Sequence, residues 1–155
     1  MPERATTPKR HLMNASPDDP NPCGAAPPAP ARSDFKGPFR VCVIDADDAW
    51  RVLLEQWLQD LGCEVVPPPG AANAPAPEVD LVIVDLPFPR QGGVDSVKRI
   101  TSRHPATPIL ALSSNFFSRI ECCGPVARDL GVDCVLPKPA TREAIAAAVR
   151  RVLPV

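Results

Sequence analysis

The feature that most constrains this chain is a recurring pattern between Phe39 and Leu153, in which a short apolar run is closed by a polar residue and followed by a stretch of helical spacing. Arg40 to Ile44 is rich in β-branched residues and meets Asp45. Leu81 to Val84 is apolar at consecutive positions, as in a strand covered on both faces, and meets Asp85. Ile109 to Leu112 meets Ser113, Cys134 to Leu136 ends shortly before Lys138, and Cys63 to Val66 supplies one more run of the same kind.

The intervening stretches read as helices. Asp47 or Asp48 stands where an N-cap belongs, Trp50, Leu53, Leu54, Trp57, Leu58 and Leu61 recur at helical spacing, and Gly62 ends the turn. Val94, Val97 and Ile100 mark another amphipathic helix. Thr141 caps a last one over Arg142 to Leu153, with Ile145, Val149 and Val152 on its inner face. Prolines make Pro67 to Pro77 hostile to regular helix, so the helix expected there is short or lost; Phe116 to Leu130 has helical potential that Gly124 and Pro125 interrupt. Strand–helix alternation requires crossover connections and therefore a parallel sheet with helices on both faces. Five strands and about five helices predict an α/β, flavodoxin-like (βα)5 doubly wound fold.

Composition narrows the function. Lys and Arg number 17 against 18 Asp and Glu, so there is no basic excess to neutralise phosphates, which argues against direct nucleic-acid binding. No stretch approaches the roughly 20 apolar residues of a membrane span, and Met1 to Met13 lacks the apolar core of a secretory signal; no membrane insertion and a cytoplasmic location are expected. Residues 1–38 hold nine of the 22 prolines and few large apolar side chains, which predicts a disordered N-terminal tail ahead of a folded domain over 39–155. The six cysteines are expected as thiols, since Cys42, Cys63 and Cys134 lie in apolar runs and Cys122 and Cys123 are adjacent and poorly spaced for zinc. His11 and His104 show no ligand spacing with any cysteine.

In open parallel sheets ligands sit at the carboxyl ends of the strands, so the polar residues that close the runs are the candidate site: Asp45, Asp47, Asp48, Asp85, Ser113, Ser114 and Lys138. Carboxylates on neighbouring strands make a hard oxygen site for a divalent cation such as magnesium, whose remaining positions take water and phosphoryl oxygens. A hydroxyl and an ammonium beside them would orient and neutralise those oxygens. An acid at a strand end is often only a loop residue or N-cap; it is the coincidence of four strand ends that points to a site.

These residues carry a resemblance to a family. Ile44-Asp45 with Arg51, Asp85-Leu86 with Pro89 and Gly93, Ser113-Ser114, and Gly131-Val132-Asp133 leading to Lys138-Pro139 resemble the CheY-like receiver domain of two-component response regulators, over roughly Phe39 to Leu153. The resemblance implies a phosphorylation switch: Asp85 takes a phosphoryl group from the histidine of a sensor kinase or histidine phosphotransfer protein, and Ser113 and Lys138 contact its oxygens. It implies Mg2+ held by Asp45, Asp47, Asp85 and the backbone carbonyl of Pro87, a cis Lys138-Pro139 bond, and signalling to an unknown downstream protein target by altered docking rather than by enzymatic turnover.

The chain departs from the family pattern in three places. Ala46 stands where a second acid is usual, which leaves Asp47 to substitute or the metal weakly held. Val135 stands at the usual aromatic switch position. Pro67 to Pro77 replaces a helix. These departures leave a second expectation, a degenerate receiver acting as a phosphorylation-independent interaction module. A third, a haloacid-dehalogenase-like phosphatase suggested by Asp45-Ala46-Asp47, lacks the small hydroxyl residue at Ala49 and the later acidic pair.

Overall fold

The computed structural model describes residues 37–68, 70 and 77–155. The tail expected over 1–38 therefore lies almost wholly outside the described residues, as does most of the proline-rich stretch before Pro77. Among the described residues nine elements follow in order: β1 (Phe39–Ile44), α1 (Asp48–Asp60), β2 (Cys63–Val66), β3 (Leu81–Asp85), α2 (Gly93–Arg103), β4 (Ile109–Ser113), α3 (Pro125–Leu130), β5 (Cys134–Pro137) and α4 (Arg142–Val152). The strands form one sheet in the order β2-β1-β3-β4-β5, every pair parallel. The flavodoxin-like expectation is met.

Alternation along the strands divides the core. Val41, Val43, Leu81, Ile83, Leu110 and Leu112 face Leu54 and Leu58 of α1 and Ile145, Ala148 and Val149 of α4. Cys42, Val82, Val84, Ala111 and Val135 face Val97 and Ile100 of α2 and Ala127 and Leu130 of α3. This two-faced burial is why β3 and β4 read as unbroken apolar runs. Strand starts are pinned by acids: Asp80 Oδ2 accepts from the Arg40 amide at 2.8 Å, and Asp133 Oδ2 accepts from the Ile109 amide at 2.8 Å. Helix starts are capped as the sequence predicts, with Asp47 accepting from the Trp50 amide at 2.9 Å and Thr141 from the Ala144 amide at 3.1 Å.

Four helices, rather than about five, occur among the described residues. No described residue between β2 and β3 is helical, in keeping with a prolyl ring's clash with the preceding turn. Between β4 and β5 only Pro125–Leu130 is helical, because Gly124 is extended and Pro125 fits the first helical position without needing an N–H partner. Gly131 closes α3 at φ 79°, a left-handed cap that glycine adopts without steric penalty. Leu53 and Val94, counted above among the apolar helical positions, are exposed. Trp50 and Trp57 are half-buried in an edge-to-face pair, ring centroids 5.8 Å apart.

The cysteine expectation needs correction. Cys122 and Cys134 form a disulfide, whereas Cys42, Cys63 and Cys123 are thiols. The Val135 amide donates to the Cys122 carbonyl at 2.8 Å, so the segment before α3 runs beside the outer edge of β5 and brings the two Cα atoms to 4.9 Å, within disulfide range. That proximity depends on the path of the 114–124 segment, which sequence spacing does not reveal.

Candidate functional site

The parallel register brings the carboxyl ends of β3, β4 and β5 level, pairing Asp85 with Leu112 and Ser113 with Pro137. Asp85, the last residue of β3, has an almost buried side chain that pairs with the Lys138 ammonium, itself 17% exposed. Lys138 follows β5 directly, and its peptide bond to Pro139 is cis, as expected. Its Nζ also lies 3.9 Å from Asp47 Oδ2 and 5.5 Å from the Trp50 ring centroid. Two carboxylates and an aromatic face thus surround one ammonium, which neutralises charge that the buried Asp85 would otherwise hold at a cost.

Ser113 is fully buried, its Oγ accepting from the Asn115 amide at 3.1 Å. Its carbonyl accepts from the Lys138 amide at 2.9 Å, which fixes the backbone on either side of the Asp85–Lys138 pair. Strand-end position alone does not single out Asn115. Its side-chain amide donates to the Pro87 carbonyl, so it links the loop after β4 to the loop after β3. An asparagine directly after Ser-Ser in a turn is the available signal, since such side chains readily bond nearby backbone. Phe88 and Phe117 are exposed on those two loops, whereas Phe116 is buried in the core.

Residues 41–150 match the response regulator receiver domain family. The chain belongs to that family. Among curated proteins, this receiver is similar to the transcriptional regulatory protein CpxR of Klebsiella pneumoniae, 27% identical over 117 residues, covering 74% of the chain and 49% of CpxR. It is also similar to the autoinducer 1 sensor kinase/phosphatase LuxN of Vibrio harveyi, 34% identical over 77 residues, covering 47% of the chain and 9% of LuxN. The chain thus spans half or less of these curated relatives. Among solved structures, the chemotaxis protein CheY4 of Vibrio cholerae superposes with a TM-score of 0.55 at 26% identity, over 76% of this chain and all of that one. A Burkholderia pseudomallei response regulator with a phosphorylated aspartic acid, calcium ion and citrate superposes with a TM-score of 0.53 at 26% identity, over 71% of this chain and 65% of that one.

The receiver's expected metal ligands are hard oxygen donors, the right chemistry for magnesium. In this structure those oxygens are engaged separately. Asp45 is exposed at φ 60° and lines a cleft with Ser96, Arg99 and His104 beside α2. Asp47 spends one oxygen on the α1 cap and directs the other toward Lys138, and the Pro87 carbonyl already accepts from Asn115. Among the described residues, the only group of three potential ligands whose donor atoms all lie within 4.8 Å of one another is Cys122, Cys123 and Cys134. Asp47 and Asp85 therefore meet on the Lys138 ammonium while Asp45 faces the α2 cleft, and Ala46, half-buried against the α1 and α4 core, adds no side-chain oxygen. No described helix is long and apolar enough to cross a membrane.

Proposed function

We propose that residues 39–155 act as a phospho-accepting receiver in a two-component relay, with Asp85 as the acceptor. The observation that carries this reading is the ion pair of Asp85 with Lys138 at the carboxyl edge of the sheet. In the proposed step an Asp85 carboxylate oxygen attacks the phosphorus of a phosphohistidine on a sensor kinase or phosphotransfer protein. The P–O bond forms, the P–N bond breaks, and the departing imidazole takes up a proton. Lys138 then faces roughly two negative charges in place of one, and Ser113 can turn its hydroxyl from Asn115 to a phosphoryl oxygen. No step here is routed through magnesium; Asp45, Asp47, Asp85 and the Pro87 carbonyl are the oxygens that would hold it, and with Ala46 in place of a further acid its binding is expected to be weak. Exposed Phe88 and Phe117 stand on the loops that follow β3 and β4, at the sheet edge that carries Asp85, and suit docking of the phosphodonor protein.

The relatives support a place in such a relay, since they include both a sensor kinase/phosphatase and a transcriptional regulatory protein, and one structural neighbour carries a phosphorylated aspartic acid. The signal leaves by docking on a downstream protein, through the loops that the phosphoryl group repacks. The scattered acids and the buried Val135 favour a second reading, a receiver that docks without phosphorylation.

Intact mass after incubation with acetyl phosphate, with and without magnesium, separates the two. A gain of one phosphoryl group that Asp85→Asn abolishes supports the acceptor assignment. No gain under conditions that label a control receiver supports the second reading, and labelling that persists in Asp85→Asn places the acceptor elsewhere.

A further inference from the structure

The phosphorylation chemistry uses none of the cysteines, yet three of them meet at the outer edge of β5. Cys122, Cys123 and Cys134 have all their sulfur atoms within 4.8 Å of one another, although the first two lie in a loop and the third in a strand. Two of these sulfurs are bonded to each other. The third, Cys123 Sγ, is half-buried and takes a 3.2 Å contact from the Arg151 guanidinium of α4. A positive charge beside a partly accessible sulfur is the setting in which cysteine acts as a nucleophile or leaving group in exchange. Cys42 and Cys63 contrast with it. Both are buried in the core, and burial pushes their thiols above the ordinary value, against the nearby Arg51 for Cys42 and together with Asp80 for Cys63.

We propose that Cys122, Cys123 and Cys134 form a thiol–disulfide exchange site whose substrates are low-molecular-mass thiols and disulfides. In the reductive direction a small thiolate attacks the half-buried Cys122 sulfur, forming a mixed disulfide and expelling the Cys134 thiolate. A second small thiolate attacks the small-molecule sulfur of that mixed disulfide, releasing a small disulfide and the Cys122 thiolate; the two protein thiolates take up the two protons that the small thiols lost. Cys123 adds an internal branch. Its thiolate attacks Cys134 Sγ, forms a Cys123–Cys134 bond and expels the Cys122 thiolate, with no net oxidation. Either exchange changes what ties the 114–124 segment to β5, because the Cys122–Cys134 link reinforces the backbone bond from Val135 to Cys122. The same segment leads back through buried Phe116 to Ser113, so the site's oxidation state is coupled to the loop beside the phospho-acceptor.

The test is differential alkylation with mass mapping of the full chain across a series of reduced-to-oxidised glutathione ratios. The oxidised native chain should show a Cys122–Cys134 link that opens to two alkylatable thiols as reduced glutathione rises. Cys123→Ser should keep that link. Cys122→Ser is the decisive variant, since it should form a Cys123–Cys134 link at the ratios that oxidise the native chain, with an unchanged circular dichroism spectrum. Cys122→Ser remaining unlinked while folded would overturn the exchange site in favour of a fixed structural disulfide. Six alkylatable thiols at every ratio would also overturn it, and if zinc alone then protects the three, the cluster is a metal site instead.

Discussion

Breaking the Asp85–Lys138 pair from its two ends should cost unequal amounts, and the inequality follows from the surroundings of each partner. Removing one member of a buried ion pair typically costs about 3–5 kcal/mol, because the other charge stays desolvated and unpaired. In Asp85→Asn the Lys138 ammonium keeps Asp47 at 3.9 Å and the Trp50 ring at 5.5 Å. A carboxylate at that distance, mostly in water, contributes about 1–2 kcal/mol, and a ring face about 0.5–1 kcal/mol. The expected loss is therefore about 1–2 kcal/mol. In Lys138→Met the Asp85 carboxylate loses the one cation paired with it among the described residues, and the loss should approach about 3–4 kcal/mol. Urea unfolding followed by tryptophan fluorescence measures both, since Trp50 on α1 lies beside Lys138 and packs edge-to-face on Trp57. The double variant closes a thermodynamic cycle in which a coupling of about 1–3 kcal/mol is expected. A coupling below about 0.5 kcal/mol, or an Asp85→Asn loss equal to that of Lys138→Met, would refute this account of how the two charges are held.

Other perturbations probe separate parts of the structure. Ala46→Asp adds a carboxylate between Asp45 and Asp47 in the chain and should tighten magnesium binding by at least about tenfold in titration calorimetry; unchanged affinity would mean that the metal does not bind at this end of β1. Burial, with a smaller contribution from Arg103, holds the His104 pKa below its ordinary 6.5, so the unfolded chain binds the proton more readily than the folded one. Stability should therefore fall as pH drops below about 6.5 and level off beneath the folded value, a slope that His104→Gln removes in urea midpoints measured between pH 8 and pH 5. Gly131→Ala forces a side chain into left-handed backbone at the end of α3 and should cost about 1–2 kcal/mol in the same assay; no loss would mean that α3 ends differently in solution.

Much of the fold was legible because its determinants are local. Apolar runs buried on both faces, capping residues such as Asp47 and Thr141, and prolines each act within a few positions of themselves, and the elements they predict are present. Asp85 and Lys138 were legible for a related reason: a parallel sheet places strand ends together whatever the loops do. The exposure of Leu53 was not, because an apolar residue can sit on the water side of a helix without large penalty and the periodic count cannot tell it from Leu54. Asn115, the direction of Asp45 and the Cys122–Cys134 link depend on loop paths, which are set by contacts distant in sequence.

The same division explains why the site is only half like its family's. Strand order fixes Asp85, Ser113 and Lys138 at one end of the sheet, so an acceptor, a hydroxyl and a cation are supplied by topology alone. Gathering a second and third acid around the acceptor is left to the β1–α1 loop, where Ala46 packs against the core and Asp47 divides its oxygens between the α1 cap and Lys138. An Asp47→Asn variant separates these duties, since the amide oxygen can still cap the helix while the charge facing Lys138 is lost. If Asp47 serves the ammonium as well as the cap, that variant should lose only the Asp47–Lys138 attraction, about 1–2 kcal/mol, and strengthen the response of Lys138 to charge at Asp85. The coupling measured by the Asp85–Lys138 cycle would then rise in the Asp47→Asn background, whereas a coupling that stays constant would show that Asp47 and Asp85 do not compete for the same ammonium.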